Sequence, residues 1–456
     1  MRHSSEMDMC SGPLVGNLLR FSIPLMASSI LQLLFNAADI IVLGQFASSS
    51  AMAAVGATSS LNSLMVNLFL GLSIGCSVVM ARSYGAQDWR RVHDTVHTAL
   101  LLAVFCGAVL IVAGIPLLPA LLRWMDTPPD LLDQSVLYMR IVFLGMPAMM
   151  VYDFGAGILR AIGDTKRPLF FLTAAGITNA CLNVFFVVAF HLDVAGVALA
   201  TSLSQYLSAF LVVRCLMQPD TRYQLCLREL KISAPILLQI VRVGLPAGIQ
   251  SVVFSISNVL IQSTINSFGS IAMAGSTAGG NIEGFVWTAM DAFTQSTLSF
   301  TGQNYGAKKF HRITKVVWYN LGLVTVVGLV LGIGAYLVGP WVLQVYSSDP
   351  EVIAYGLERM LLVCTPYALC GVMNVLVGAM RGLGSSLTPM VVSIFGVCVL
   401  RVVWIYTVFP LDPSFAMLFL SYPVTWAVTA AIEVVCFFVI RKKAIARAGG
   451  MAADAD

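Results

Sequence analysis

Charged residues are scarce in this chain. Only 11% of its 456 residues are Asp, Glu, Lys or Arg, and 58% are hydrophobic, whereas soluble domains carry about 25% charged residues. This composition excludes an ordinary water-soluble domain and indicates an integral membrane protein. The net charge of +4 is small and the basic residues are scattered among short loops, so nucleic acid is not an expected partner.

Signatures of enzymes and metal sites are also missing. The ten cysteines lie mostly inside apolar runs without metal-ligand spacing, which favours buried free thiols. Residues 71–75 read GLSIG, but a nucleophile elbow needs a strand-to-helix turn, and this copy lies in an apolar span. His93 and His97 are four residues apart without the HExxH context of a metalloprotease. We therefore expect neither an enzyme active site nor a bound cofactor.

Long apolar runs fill most of the chain. A helix needs about 20 mainly apolar residues to cross a bilayer. On that basis we predict an all-α integral membrane protein with 12 transmembrane helices, at approximately 14–43, 53–81, 95–122, 135–160, 168–190, 194–217, 234–265, 271–301, 315–344, 353–380, 388–410 and 414–440.

The loops between these spans differ in charge. Most of the 26 Lys and Arg residues fall on one side of the predicted membrane, whereas the loops of the other side carry acids such as Asp130 and Asp349. Loops rich in Lys and Arg stay cytoplasmic. Both chain termini are therefore expected in the cytoplasm.

The chain repeats itself at a fixed offset. The tripeptide YGA at 84–86 recurs at 305–307, and the pattern G-x-x-R-x-x-G at 157–163 recurs at 378–384, both 221 positions later. Six spans per repeat is an even number, which predicts two parallel six-helix lobes related by a pseudo-two-fold axis normal to the membrane. The predicted organisation is an N-terminal lobe, a cytoplasmic linker, a C-terminal lobe and a cytoplasmic tail, at 1–217, 218–233, 234–440 and 441–456.

Several motifs together suggest a known family. They are the segment from Pro24 to Asp39 with Gly44, the two YGA loops with their basic residues, GILRAIGDTKRP at 157–168 and GQNYGAKK at 302–309. In their order, spacing and duplication, residues 14–440 resemble the multidrug and toxic compound extrusion (MATE) transporters, and most of all their DinF-type branch.

The resemblance implies a fold and an activity. It implies a V-shaped bundle of two lobes that exports organic, often cationic compounds by antiport with H⁺ or Na⁺. The expected setting is the cytoplasmic (inner) membrane of a bacterium or archaeon. The protein is expected to be a monomer, and its expected partners are small organic substrates and the lipid bilayer. The alternative is a flippase of lipid-linked oligosaccharides or lipids from the same superfamily, although many of those have extra helices and a basic cavity.

Asp39 lies beside Ile40 in the apolar stretch FNAADIIVLGQF at 35–46. A carboxylate at the centre of a membrane helix costs about 2.5–3.5 kcal/mol on insertion scales and is a functional candidate by default. The resemblance implies that this aspartate titrates during transport and that helix 1 bends near Pro24, as a hinge. The alternative is a capping or snorkelling residue near the outer surface, because Gly44 follows closely.

Three further polar residues in the first lobe belong to the same candidate site. Asn179 and Asn183 lie on one face of a helix, and Thr201 lies at comparable depth in the next span. The resemblance implies a cation site there, in which Na⁺ would contact Asp39, Asn179, Asn183 and Thr201. Asp153 lies where an asparagine is usual and is a second coupling candidate. The alternative is that these amides only tie helices together.

The second lobe has intramembrane charges of its own. Glu283 and Arg401 fall at similar depth, which predicts a buried ion pair, with Arg401 the more structural partner. Asp291 is a further candidate of the same kind. Five apolar side chains are candidates for contacts with cargo, because Met and aromatic residues suit promiscuous surfaces, although ordinary core packing is the commoner role for Met146, Met149, Met150, Phe154 and Trp287.

Overall fold

Helices account for nearly all of the described chain. The computed structural model of the protein describes residues 7–46, 49–125, 127–219 and 221–449, so part of the predicted tail, from residue 450, lies outside the described residues. The α-helices in these ranges are α1 (Leu14–Phe46), α2 (Ser49–Gly85), α3 (Trp89–Val109), α4 (Ile115–Trp124), α5 (Pro129–Ala161), α6 (Lys166–Asn183), α7 (Asp193–Leu216), α8 (Ala234–Asn266), α9 (Ser270–Gly306), α10 (Phe310–Leu343), α11 (Pro350–Val363), α12 (Tyr367–Gly382), α13 (Leu387–Ser393), α14 (Leu400–Thr407) and α15 (Phe415–Arg447).

These helices form twelve consecutive rods in the part of the chain that the structure describes. Short π-helical segments join α3 to α4 and α13 to α14, and one extends α6, so each of these forms a single rod. Ten rods are long and apolar enough to cross a membrane. An eleventh is the pair α11 and α12, bent by 46° at a break that contains Pro366, since proline removes a backbone hydrogen bond and often kinks or breaks a helix. The predicted twelve-helix architecture is confirmed.

The remaining rod, α9, is not among the helices that are apolar enough over a membrane-spanning length. Its 37 residues contain Glu283, Asp291 and many Ser, Thr and Gly. Several helices also extend past their predicted ends, because polar and basic residues continue the helical hydrogen bonding beyond the apolar run. For example, α2 ends at Gly85, after Arg82 and Ser83, although the apolar run predicts an end near residue 81.

The sequence repeat is also present in the backbone. Gln87 and Lys308, which follow the two YGA tripeptides, have φ values of 55° and 58°, and Gly163 and Gly384 have φ values of 95° and 79°. Positive φ is uncommon for residues other than glycine, so its recurrence at the 221-residue offset is informative. The two halves therefore end corresponding helices in the same way.

The helices divide into two compact units whose borders fall inside α1 and α8. The first unit contains Ala27–Gly248, and the second contains Asp8–Met26 and the described residues from Ile249 onwards. The two breaks, after Met26 and after Gly248, are 222 positions apart, like Pro24 and Pro246. The units therefore differ from the predicted lobes 1–217 and 234–440 at the first half of each of these helices.

Contacts with neighbouring helices explain why α1 and α8 are each divided between the two units. In the second unit, the ring of Phe21 on α1 packs edge-on against Phe300 on α9, with 5.6 Å between ring centroids. In the first unit, the start of α8 packs closely on α2. The continuous helices α1 and α8 thus each contribute to both units.

Glycines mediate the contact between α2 and α8. A Cβ atom built at Gly71 would lie 2.2 Å from the backbone nitrogen of Gly248, and one at Gly75 would lie 2.2 Å from the carbonyl oxygen of Ile240. Gly71 and Gly75 form a G-x-x-x-G pattern, as do Gly244 and Gly248, and such small residues let membrane helices approach closely. The GLSIG segment is therefore a helix-packing motif.

We expect Gly71→Ala to lower the free energy of unfolding by about 1–3 kcal/mol, the usual cost of overpacking a tight contact. The matched control is Gly322→Ala on α10, where the added Cβ would meet nothing within 4 Å. Denaturation of both variants by SDS in mixed micelles measures the difference. Equal stability of Gly71→Ala and Gly322→Ala would contradict the close contact.

Candidate functional site

The site in the first unit begins where α1 packs on α6. A Cβ atom at Gly176 would lie 1.9 Å from the ring of Phe35, so any larger residue here would require the Phe35 ring to move. Asp39 follows Phe35 by one turn of α1, and Asn183 follows Gly176 by two turns of α6. This packing brings the Asp39 carboxylate against the Asn183 amide.

A chain of hydrogen bonds connects four polar side chains across three helices. Asn183 Nδ2 donates to Asp39 Oδ1 at 2.5 Å and to Asn179 Oδ1 at 3.2 Å. Asn179 Nδ2 donates in turn to Thr201 Oγ1 on α7, at 3.4 Å. The structure thus brings together Asp39, Asn179, Asn183 and Thr201, the four residues that the sequence analysis grouped as a cation site.

The two amides of this cluster are buried, and one of their acceptor atoms is unused among the described residues. Asn183 and Asn179 are only 1% and 7% exposed. Asn183 Oδ1 is buried and accepts no hydrogen bond within the described part of the chain. A buried acceptor without a partner is costly, and a carbonyl oxygen beside a carboxylate suits a hard cation. The donor set therefore fits either a cation or a proton on Asp39.

Two neighbouring features were not found by sequence reasoning. The phenol of Tyr138 on α5 lies within Coulombic range of Asp39. The six residues after Asn183, Val184–Ala189, form a π-helix, a geometry that often accompanies functional sites. Neither feature has a sequence signal, because Tyr138 comes from a distant helix and π-helical segments have no characteristic residue pattern.

Asp153 forms a separate carboxylate in the same unit. It is half-buried on α5, and its Oδ2 atom is buried without a hydrogen bond among the described residues. The charge of Arg160 acts on it, and Ser73 donates to its backbone oxygen at 2.9 Å. No hydrogen bond in the described chain joins Asp153 to the Asp39 cluster.

In the second unit, Glu283 pairs with an arginine other than the predicted one. Arg359 Nη2 on α11 lies 2.7 Å from Glu283 Oε2, and each side chain is 14% exposed. Arg359 Nη1 also donates to the backbone oxygen and to Oγ of Ser276, at 2.9 and 2.8 Å. The predicted pair of Glu283 with Arg401 is therefore wrong, because depth along the helices does not specify which sides face each other.

Arg401 instead contacts polar and aromatic groups of α15. Its Nε donates to Thr425 Oγ1 at 3.2 Å, and its guanidinium carbon lies 3.9 Å from the ring centre of Tyr422 and 5.8 Å from that of Trp426. Cation–π contacts of this kind stabilise a desolvated arginine. These contacts are consistent with a structural role for Arg401.

Family comparison detects the two-fold sequence repeat. A family model described as MatE matches the chain twice, over residues 24–185 and 246–407. The two matched segments cover well over half of the 456 residues, and their starts and ends are each 222 positions apart. The chain belongs to the MatE family.

Relatives of this MatE-family protein include two named for drug resistance. "Probable multidrug resistance protein YoeA" of Bacillus subtilis is 28% identical over 385 residues, 83% of each chain. "Probable multidrug resistance protein NorM" of Thermotoga maritima is 24% identical over 393 residues, 84% of this chain and 83% of that protein.

Solved structures share the fold of this MatE-family protein. One, described as the outward-facing conformation of a multidrug resistance MATE family transporter of the MOP superfamily, has a TM-score of 0.89 at 22% identity. It covers 96% of this chain and 98% of that chain. Another, from Pyrococcus furiosus, is described as a MOP superfamily transporter whose reversed binding-pocket polarity suggests a different function. Its TM-score is also 0.89, at 22% sequence identity. At this identity the likeness shows the fold.

The second half of the MatE-family chain holds a further acidic group that sequence reasoning missed. Glu433 on α15 is fully buried, its Oε1 accepts from Ser393 Oγ at 2.9 Å, and its Oε2 has no hydrogen bond among the described residues. Arg381 lies within Coulombic range of Glu433 and of Asp291, which places Asp291 in this charged cluster. The sequence signal for this group is a single glutamate within an otherwise apolar helix.

Most of the candidate cargo residues lie in the core. Met146, Met150 and Phe154 are at most 1% exposed and belong to the apolar core of the first unit, so the predicted contact with cargo does not hold for them in this structure. Their spacing along α5 suits packing equally well. Met149 is half-buried against the same core and Trp287 is 48% exposed, so these two remain predictions.

Proposed function

We propose that this MatE-family protein is a secondary active multidrug efflux transporter. It exports organic compounds, cationic or amphipathic, by antiport with H⁺ or Na⁺. The observation that carries the proposal is the buried hydrogen-bonded chain that begins at Asp39, and the drug-resistance names of relatives such as the Bacillus subtilis protein support the same cargo class.

The Asp39 cluster supplies a place where charge can alternate. Ionised Asp39 accepts the Asn183 amide hydrogen, whereas protonation removes that charge. Alternatively, a Na⁺ ion balances it, with oxygens of Asn179, Asn183 and Thr201 as further ligands. Because an ion changes the relative stability of conformations only through its differential affinity for them, binding at Asp39 on one side and release on the other couples the gradient to transport.

Helix α1 is the proposed moving element. Residues of α1 up to Met26 belong to the second unit and those from Ala27 to the first, so a change in α1 acts on both. Pro24 lies two residues before this border, and a proline removes one backbone hydrogen bond of the helix. Pro24 therefore serves as the hinge between the part of α1 that binds the ion and the part held by Phe300.

The proposed setting is the cytoplasmic (inner) membrane of a bacterium or archaeon. The basic residues at helix ends and turns on one side, such as Arg90, Lys166 and Lys308, support a cytoplasmic position for that side and for both termini. The protein acts as a monomer, with small organic substrates and the bilayer as its partners and the coupling ion in place of a cofactor. The protein itself catalyses no covalent step.

Gradient-driven uptake of dyes into proteoliposomes tests the proposed function. Purified protein is reconstituted, and either a pH gradient or a Na⁺ gradient is imposed with a panel of cationic dyes. We expect accumulation that needs one of the two gradients and that stops when an ionophore selective for that ion collapses it. Dye movement that is the same with and without both gradients would contradict ion-coupled antiport.

A further inference from the structure

The segment between α7 and α8 packs on α3, at the basic ends of these helices. Cys226 donates its backbone N–H to His97 Nε2 at 3.1 Å, while His97 Nδ1 donates to the backbone oxygen of His93 at 2.7 Å. Farther along the segment, Ser233 donates its backbone N–H to Thr98 Oγ1 at 3.0 Å. The buried His97 ring thus fixes the backbone at Cys226 beside the first turns of α3.

Three metal-ligating side chains meet at this contact. His93 Nε2 lies 2.9 Å from Glu229 Oε2. One ligand atom from each of His93, Cys226 and Glu229 lies within 4.8 Å of the other two. His93 and Glu229 are 36% and 62% exposed as side chains, so an ion in solution has access. We infer that His93, Cys226 and Glu229 form a binding site for a Zn²⁺-class transition metal.

The donor set determines which metal the site takes. One imidazole nitrogen, one thiolate sulfur and one carboxylate oxygen are the three ligand types that Zn²⁺ accepts, at about 2.0–2.3 Å from the ion. A thiolate disfavours Mg²⁺ and Ca²⁺, which prefer oxygen ligands. Three protein ligands leave a fourth tetrahedral position for water. The separations in the structure need only small side-chain adjustments to surround one ion.

The positions of the ligands explain why a metal is a better account than a simple ion pair. Cys226 and Glu229 are three residues apart around the short 3₁₀ turn Leu227–Glu229, so they project to the same side, and His97 holds Cys226 in place without being a ligand itself. A His93–Glu229 ion pair requires neither the thiol nor this fixed backbone.

A bound ion would fasten the connection between α7 and α8 to α3. Arg222, in the same connection, already lies 4.3 Å from the ring centre of Trp89 at the start of α3. The metal would therefore add a cross-link to an existing contact within the first unit. This site is independent of the Asp39 cluster and of the proposed transport activity.

Titration of the full-length protein in detergent with Co²⁺ tests the site. After treatment with a chelator, we expect one equivalent of Co²⁺ to bind and to produce a thiolate-to-cobalt charge-transfer band, which one equivalent of Zn²⁺ then removes. Each of Cys226→Ser, His93→Ala and Glu229→Gln should weaken binding by at least about 100-fold, because even partners outside the ligand shell change metal affinity about 10–100-fold.

Matched substitutions elsewhere serve as controls. Cys436→Ser, His311→Ala and Glu351→Gln remove the same side-chain types outside the cluster and should bind Co²⁺ as the unaltered protein does. Circular dichroism of each variant shows that it is folded. Absence of stoichiometric Co²⁺ binding by the unaltered protein, or a charge-transfer band that persists in folded Cys226→Ser, would overturn the inference.

Discussion

Asp39→Asn is expected to abolish gradient-driven dye transport while leaving a folded protein that still binds dye. The asparagine keeps the shape of the side chain, and its amide oxygen can still accept the hydrogen that Asn183 Nδ2 donates to Asp39 Oδ1. A neutral amide also costs less to bury than a carboxylate. A site that no longer alternates between charged and neutral forms gains no free energy from the gradient.

Two assays on one variant separate binding from coupling. Dye binding to purified protein and dye transport in proteoliposomes are measured for Asp39→Asn and for Asp133→Asn, a control that neutralises an exposed acid at the start of α5. Retained binding with transport lost only in Asp39→Asn is the expected pattern. Full transport by Asp39→Asn would show that Asp39 has only a structural role. Asp153 and Glu283 would then be the next candidates for the coupling carboxylate.

Breaking the Glu283–Arg359 pair is expected to have the largest effect on stability. Removing one partner of a buried ion pair leaves an uncompensated charge and costs about 3–5 kcal/mol, whereas replacing both by apolar residues is often close to neutral. Glu283→Met and Arg359→Met should each lower the free energy of unfolding by about that amount. The double variant should lose much less than the sum of the two.

The comparison with Arg401 makes this prediction specific. SDS denaturation in mixed micelles gives the free energy of unfolding for each single variant, for the Glu283→Met/Arg359→Met double variant, and for Glu283→Met combined with Arg401→Met. Because Arg401 contacts Thr425 and Tyr422, the loss of stability caused by Arg401→Met should add to the loss caused by Glu283→Met. Additive losses for Glu283 and Arg359 would contradict the pair.

Helical periodicity explains why the proximity of the four polar side chains in the first unit could be predicted. Asn179 and Asn183 are four residues apart, which places both on one helix face, and counting along the spans places Asp39 and Thr201 at similar depth. These two rules suffice when polar groups are few, because each buried group needs a partner. The free acceptor at Asn183 Oδ1, which has no hydrogen bond among the described residues, and the nearby Tyr138 depend on helix rotation, which the sequence pattern does not specify.

The same limitation explains the errors in the second unit. Depth alone is compatible with a pair of Glu283 and Arg401, because it does not show which helix faces turn towards Glu283. In the structure, α11 turns Arg359 inwards towards Ser276 on α9. The contact of His93 with Cys226 and Glu229 in the connection between α7 and α8 was not predicted for a related reason, since these residues are far from His93 in sequence.

The division of α1 and of α8 between the two units was not predictable either. Hydropathy identifies where a helix begins and ends, but not which neighbours it packs against along its length. The glycine pairs on α2 and α8 are a signal that sequence reasoning overlooked, because GLSIG was considered only as an enzyme motif. Its Gly71 and Gly75 instead permit the close contact with Gly244 and Gly248.

Ion release on cargo binding tests most directly the claim that Asp39 is the coupling carboxylate. A cationic dye is added to purified protein in weakly buffered detergent solution, and the protons or Na⁺ ions that leave the protein are measured per dye bound. We predict release of the coupling ion from the unaltered protein and from Asp133→Asn, and none from Asp39→Asn, although all three bind dye. Equal ion release from Asp39→Asn would contradict the account.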